Sequence, residues 1–186
     1  MNTIYIFTDA STSPQKGIAV GAFLCLNQQT MDEYALLSRE ALFALVSSCI
    51  HYKEYQSKKS TWSEIKTVIH ALNAIQQNEK IYSKIEIYTD CQSLCDLLGR
   101  RKEKLLSHNF LTKTGKILPN ADLYKELFAE AEQYHIQTFK IKGHHSIAKR
   151  ITLQEKIFSV IDVLSRQKLR LIQSDALLSV VMPARS

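Results

Sequence analysis

The stretches "IYIFTDAS" (residues 4–11) and "IEIYTDCQS" (residues 85–93) decide the fold. Each is an apolar, β-branched and aromatic run with the period-two alternation of a half-buried strand, and each stops on Thr-Asp. If the two are parallel neighbours in one sheet, Asp9 and Asp90 come to the same sheet edge. Two carboxylates a few ångströms apart repel and raise each other's pKa, a costly arrangement unless a cation sits between them. Either Asp alone also reads as turn chemistry, and Asp90 as the N-cap of the helix-like run "CQSLCDLLG". The pair is what points to a metal.

Working outward, strands are expected at 3–9, 17–26, 46–57, 84–89 and 136–142. Helices are expected at 61–78, 91–98, 120–134 and 154–172, with a further one near 32–43. This order predicts an α/β fold whose central five-stranded mixed sheet has three antiparallel strands followed by two parallel ones, flanked by helices. A chain of 186 residues that is 45% hydrophobic and 23% charged fits a single domain over 1–186, with a C-terminal tail at 173–186 of uncertain structure. There is no repeat beyond the Thr-Asp echo and no linker.

No apolar run has the length of a membrane span, and the N-terminus enters a strand directly, so a cytoplasmic protein without membrane association is expected. The four cysteines make no C-x-x-C and read as buried thiols. A formal charge of +6, concentrated in "GRRKEK" (residues 99–104) with Lys113 and Lys116, suits a polyanionic partner such as nucleic acid, or a solvated surface.

Two more carboxylates stand out by position. Glu64 lies in the first turn of the helix "STWSEIKTVIHALNAIQ", whose apolar stripe is Ile65, Val68, Ile69, Leu72 and Ile75; Thr61-x-x-Glu64 is also a capping box, in which Glu64 bonds only the local backbone. Asp162 lies between Ile161 and Val163, one turn from Phe158, where a buried carboxylate needs a positive partner.

Taken together these residues resemble the ribonuclease H family, type 1, from about Thr3 to Arg170. The resemblance rests on "IFTDAS", "WSEIKTVIHAL", "IYTDCQS", and "KGH" followed by "IDVLSR", in that order, with "NADLYKELFAEAEQYHIQTFKIKGH" similar to the family's last helix and strand before a mobile loop. It implies that Asp9, Glu64, Asp90 and Asp162 bind two Mg²⁺ or Mn²⁺ ions, with Asp9 the most central ligand. The implied activity is hydrolysis of the RNA strand of RNA–DNA hybrids by a two-metal-ion mechanism, leaving 5′-phosphate and 3′-hydroxyl ends.

In the same reading His144 assists proton movement or product release, Gln92 contacts nucleic acid beside the cut, and Arg100, Arg101 and Lys104 belong to a basic substrate-binding segment. The protein is expected to act as a monomer.

The chain departs from the family pattern at Ala10, where a Gly usually follows the first Asp, and at Lys59-Ser60-Thr61, which replaces a Thr-Asn-Asn-like stretch. Trp62 is the only tryptophan, so the basic segment has none. The loop between His144 and Asp162 is longer than usual, and an insertion lies near 30–44. Two other readings remain: a DNA nuclease or junction resolvase of the same fold, and a catalytically weak nucleic-acid-binding module.

Overall fold

The computed structural model describes residues 2–77, 82–143 and 150–181. The elements in chain order are β1 (Thr3–Ser13), β2 (Ile18–Asn27), α1 (Gln28–Ala35), α2 (Arg39–Cys49), β3 (His51–Gln56) and α3 (Ser60–Gln76). They continue with β4 (Lys84–Thr89), α4 (Gln92–Leu98), α5 (Lys102–Ser107), α6 (Ala121–Glu132), β5 (His135–Lys140) and α7 (Leu153–Val181).

The strands form one sheet in the order β3-β2-β1-β4-β5. β1 is antiparallel to β2 across a short turn at 14–17, and β2 is antiparallel to β3 through a connection that holds α1 and α2; β1–β4 and β4–β5 are parallel, reached through helical crossovers. This is the five-stranded mixed sheet expected from the sequence.

The alternation in β1 and β4 splits two cores. Ile4, Ile6, Ile85 and Ile87 turn to the face covered by α3, α4 and α6, with Val68, Ile69, Leu72, Leu94 and Leu127. Phe7 and Tyr88 turn to the other face, against Leu42, Val46, Ile157, Phe158 and Ile161 of α2 and α7. Each of these side chains that is fully buried contributes roughly 1.5–3 kcal/mol relative to exposure. Together they clamp the two Thr-Asp strands in the middle layer of a three-layer stack.

Two expectations are corrected. The strand expected over 46–57 begins only at His51, since Val46–Cys49 complete α2. The single helix expected near 32–43 is two helices, α1 and α2, broken at 36–38. Ser38 caps α2 through its Oγ, which accepts the Ala41 N–H at 3.2 Å, and the i,i+4 pair Leu42 and Val46 is buried toward α7. A helical period therefore governs an apolar run that also passes for a buried strand. In the tail, α7 continues as helix to Val181.

Candidate active site

The register that pairs Ile4 with Ile85 and Phe7 with Tyr88, carried on two residues, brings Asp9 beside Asp90. Asp9 has the phase of Tyr5 and Phe7, so it turns toward α7. There Ser165 donates its hydroxyl hydrogen bond to Asp9 Oδ2, while the same hydroxyl lies 2.9 Å from Ser11 Oγ.

Glu64 arrives from the opposite layer. A Cβ at Gly21 would lie 2.0 Å from Thr67 Oγ1, so the missing side chain lets α3 seat directly on β2. Gly21 pairs with Ala10 across the β1–β2 ladder. The close approach carries Glu64 to the end of β1, where its Oε1 accepts the Ala10 N–H at 3.2 Å.

The capping-box reading of Glu64 is thereby overturned. α3 starts at Ser60 with Lys59 as its N-cap and without a side-chain capping bond, so Glu64 lies too far inside the helix for that role. Its partner is a tertiary one.

Asp9, Glu64 and Asp90 each offer a carboxylate oxygen, and the three atoms lie within 4.8 Å of one another. Asp162 opens on the same cleft, of about 320 Å³, but stands outside that group. The positive partner expected for it is Arg166, one helical turn on, whose Nη2 donates to Asp162 Oδ2 at 2.7 Å while its Nε donates to the Asp162 carbonyl at 3.0 Å.

Burial sets the electrostatics. It pushes the Asp9 carboxyl up to about 7; the Ser165 hydrogen bond opposes this, and the charges of Asp162 and Asp90 add to it. Glu64 is raised well above the usual range, first by burial and then by the charges of Asp9 and Asp90, against the opposing Ala10 amide. Glu64 Oε2 is buried with no hydrogen-bond partner. Carboxylates crowded so that they resist ionising, with an oxygen left over, fit a hard divalent cation, which takes oxygen ligands and restores the charged forms.

The start of the "KGH" turn also belongs here. A Cβ at Gly143 would lie 2.2 Å from Asp90 Oδ2, so a side chain here would displace the Asp90 carboxylate over which the backbone passes. His144 itself lies outside the described residues.

The expected substrate-binding residues follow Asp90 directly. Asp96 gathers two of them: Gln92 Nε2 donates to its Oδ1 at 3.0 Å, and Arg100 donates through Nε at 3.1 Å and Nη2 at 2.9 Å. Arg101 is half-buried and Lys104 exposed. Lys102 and Lys125 stand 5.8 and 5.7 Å over the rings of Phe128 and Phe110, which are themselves buried in the core, so the segment is tied to α6 and presents cations rather than aromatic surface.

Three contributors were missed from sequence. Arg166 was readable, because its i+4 spacing from Asp162 is a helical ion-pair signature. Gly143 was quoted only as part of a motif, and nothing local marks Ser165, whose role depends on how α7 lies against β1.

The RNase H family model matches residues 1–152. No curated protein matches the chain in sequence. Among solved structures, LC9-RNase H1, a type 1 RNase H with the type 2 active-site motif, superposes with a TM-score of 0.62 at 14% identity over 89% of this chain and 71% of that one. The N-terminal RNase H domain of Rv2228c from Mycobacterium tuberculosis, solved as a maltose-binding-protein fusion, gives 0.60 at 14% identity over 95% and 99%. A foamy viral protease-reverse transcriptase in complex with an RNA/DNA hybrid gives 0.55 at 12% identity, over 89% of this chain and 19% of that one.

Proposed function

The chain belongs to the RNase H family, and on that premise we propose that it is an endonuclease that hydrolyses the RNA strand of RNA–DNA hybrids, leaving 5′-phosphate and 3′-hydroxyl ends. The observation that carries this reading is the convergence of Asp9, Glu64 and Asp90, three carboxylates with ligand atoms within 4.8 Å, at the mouth of an open cleft.

Asp9, Glu64, Asp90 and Asp162 would hold two Mg²⁺ or Mn²⁺ ions. When bound, such ions supply activation of a water nucleophile and stabilisation of charge on the leaving oxygen. The chain's own part is positional. Ser165 engages one oxygen of Asp9 and the Ala10 amide one oxygen of Glu64, and the second Glu64 oxygen has no hydrogen-bond partner and is left for a cation. Both acids stand on packed elements, β1 and α3, which keeps the ligand geometry narrow.

Arg166 holds Asp162 at the cleft wall and adds a cation near where phosphate oxygens pass. Gln92, oriented by Asp96, reads the strand beside the cut, and Arg100, Arg101 and Lys104 receive flanking phosphates. Hybrids are discriminated by groove shape and the 2′-hydroxyl rather than by base sequence. His144, following the turn at Gly143, handles a proton or product release. The fold of a neighbour captured with an RNA/DNA hybrid supports this substrate class. Among the described residues no helix is long and apolar enough to cross a membrane.

The test is a strand-labelled assay with an RNA–DNA hybrid, duplex DNA and duplex RNA, with Mg²⁺, Mn²⁺ or EDTA. Cutting confined to the RNA strand of the hybrid and abolished by EDTA is expected. Equal cutting of duplex DNA would move the assignment to a DNA nuclease, and metal-dependent binding without cutting to a binding module.

A further inference from the structure

A second cavity, of about 440 Å³, is separate from the acidic cleft and shares no lining residue with it. It lies between α2 and the start of α7. Leu42, Phe43 and Val160 give it apolar walls, and Arg39, Arg150 and Lys156 line it as well; none of its lining residues is acidic.

Arg150 sets this cavity apart. Only 6% of the residue is exposed, and its Nε and Nη2 are buried without a hydrogen-bond partner. A guanidinium that far from water is ordinarily paired with a carboxylate or bonded to carbonyls, because an uncompensated buried charge costs several kcal/mol. Glu155 is near enough for its charge to feel Arg150, yet its Oε2 is engaged by the Ile151 and Thr152 amides, at 3.0 and 3.1 Å. Among the described residues no ion pair satisfies Arg150.

We propose that this cavity is a binding site for a small phosphate monoester with an apolar or aromatic body. The head is assigned from the donors: a guanidinium fork matches phosphate oxygens in pairs, and three cations without an acid favour a doubly charged head over a single carboxylate. The N-termini of α2 and α7 both border the cavity and add positive potential. The body is assigned from Leu42, Phe43 and Val160, and the volume lies in the range of small-molecule sites, about 300–1,000 Å³. The site is independent of the nuclease reading.

Calorimetric titration in EDTA with phenyl phosphate, inorganic phosphate and phenol tests it. Phenyl phosphate should bind more tightly than inorganic phosphate, and phenol should not bind. Arg150→Met, which keeps the apolar stem, should weaken phenyl phosphate about tenfold or more. It should also melt no lower than the parent without ligand, since it removes an uncompensated charge, whereas a purely structural arginine would melt lower when replaced. Should that variant not fold, the exposed pair Arg39→Gln and Lys156→Gln decides by a several-fold loss of affinity. Adenosine monophosphate binding above phenyl phosphate would support the site and narrow its body to a nucleotide. Absence of phenyl phosphate binding, or an affinity unchanged in both Arg150→Met and the Arg39/Lys156 double variant, overturns the proposal.

Discussion

Thr61-x-x-Glu64 and Thr152-x-x-Glu155 are the same four-residue pattern at the start of two helices, yet they do opposite things. At α7 the pattern closes on itself: Thr152 Oγ1 accepts the Glu155 N–H at 3.2 Å, and Glu155 Oε2 accepts the amides of Ile151 and Thr152. Those bonds hold the Glu155 carboxyl below its usual range. At α3 the helix begins one residue before Thr61, the box does not form, and Glu64 is driven against Ala10 and the two strand-end acids, with its carboxyl raised. Local sequence offers both glutamates the same cap. What decides is the depth to which the helix is seated, and at α3 that depth is set by Gly21 beneath Thr67.

The largest effect that can break this contrast is catalytic. Glu64→Gln keeps an acceptor for the Ala10 amide but removes the charge a cation needs, so cleavage of a hybrid should fall by about 10³-fold while the metal-free protein melts no lower than the parent. Glu155→Gln should leave cleavage unchanged. Comparable activity in both variants would return Glu64 to a structural role.

Between the two patterns runs the segment that leaves Asp90 at Gly143 and re-enters α7 at its cap. His144→Ala should slow cleavage by about 10²-fold or less, as expected of a proton-handling group beside metal ions, with His145→Ala near normal. A defect confined to His145→Ala would shift the assignment by one residue.

How much of this was legible in the sequence depends on whether the deciding contact is local. The two Thr-Asp strand ends were readable, because alternation fixes which face each residue takes and both runs stop at the same point. The mixed sheet followed from the order of strands and helices, and the need for a positive partner at Asp162 from its place beside a buried stripe, though Arg166 itself was not picked out. The start of β3 was not readable: residues 42–50 are apolar enough for a strand, and only packing of Leu42 and Val46 on α7 makes them helical. Ser165 and Arg150 were hidden for the same reason, since each acquires its meaning from an element distant in sequence.

A smaller effect sharpens the comparison on the α7 side. Thr152→Ala removes a working cap and should cost about 1 kcal/mol, lowering the melting temperature by about 2–4 °C for a domain of this size. Thr61→Ala should cost much less, since no capping bond is made there.

The comparison is sharpened again by a pH signature of opposite sign. Glu64 has a raised carboxyl, so its contribution to metal-free stability is fully present below its ordinary value of 4.5 and is lost as pH rises. Asp9 behaves alike, with the loss spread between 3.8 and about 7. Glu155 is lowered, so its contribution is present above 4.5 and lost as pH falls below it. In EDTA, Glu64→Gln should therefore gain on the parent in melting temperature as pH rises above 4.5. The deficit of Glu155→Gln should vanish under acid. Parallel pH profiles for the two variants would contradict the opposite environments of the two glutamates.

The central claim, that the strand-end acids are built around divalent cations, is tested most directly by thermal melting of the parent and of Asp9→Asn at about pH 8, first in EDTA and then across a Mn²⁺ titration. A ligand that binds only the folded state raises its stability with concentration. The parent should gain steadily with Mn²⁺, while Asp9→Asn should melt above the parent in EDTA and gain little from the metal. Equal Mn²⁺ stabilisation of both proteins, or a parent that does not respond, would contradict it.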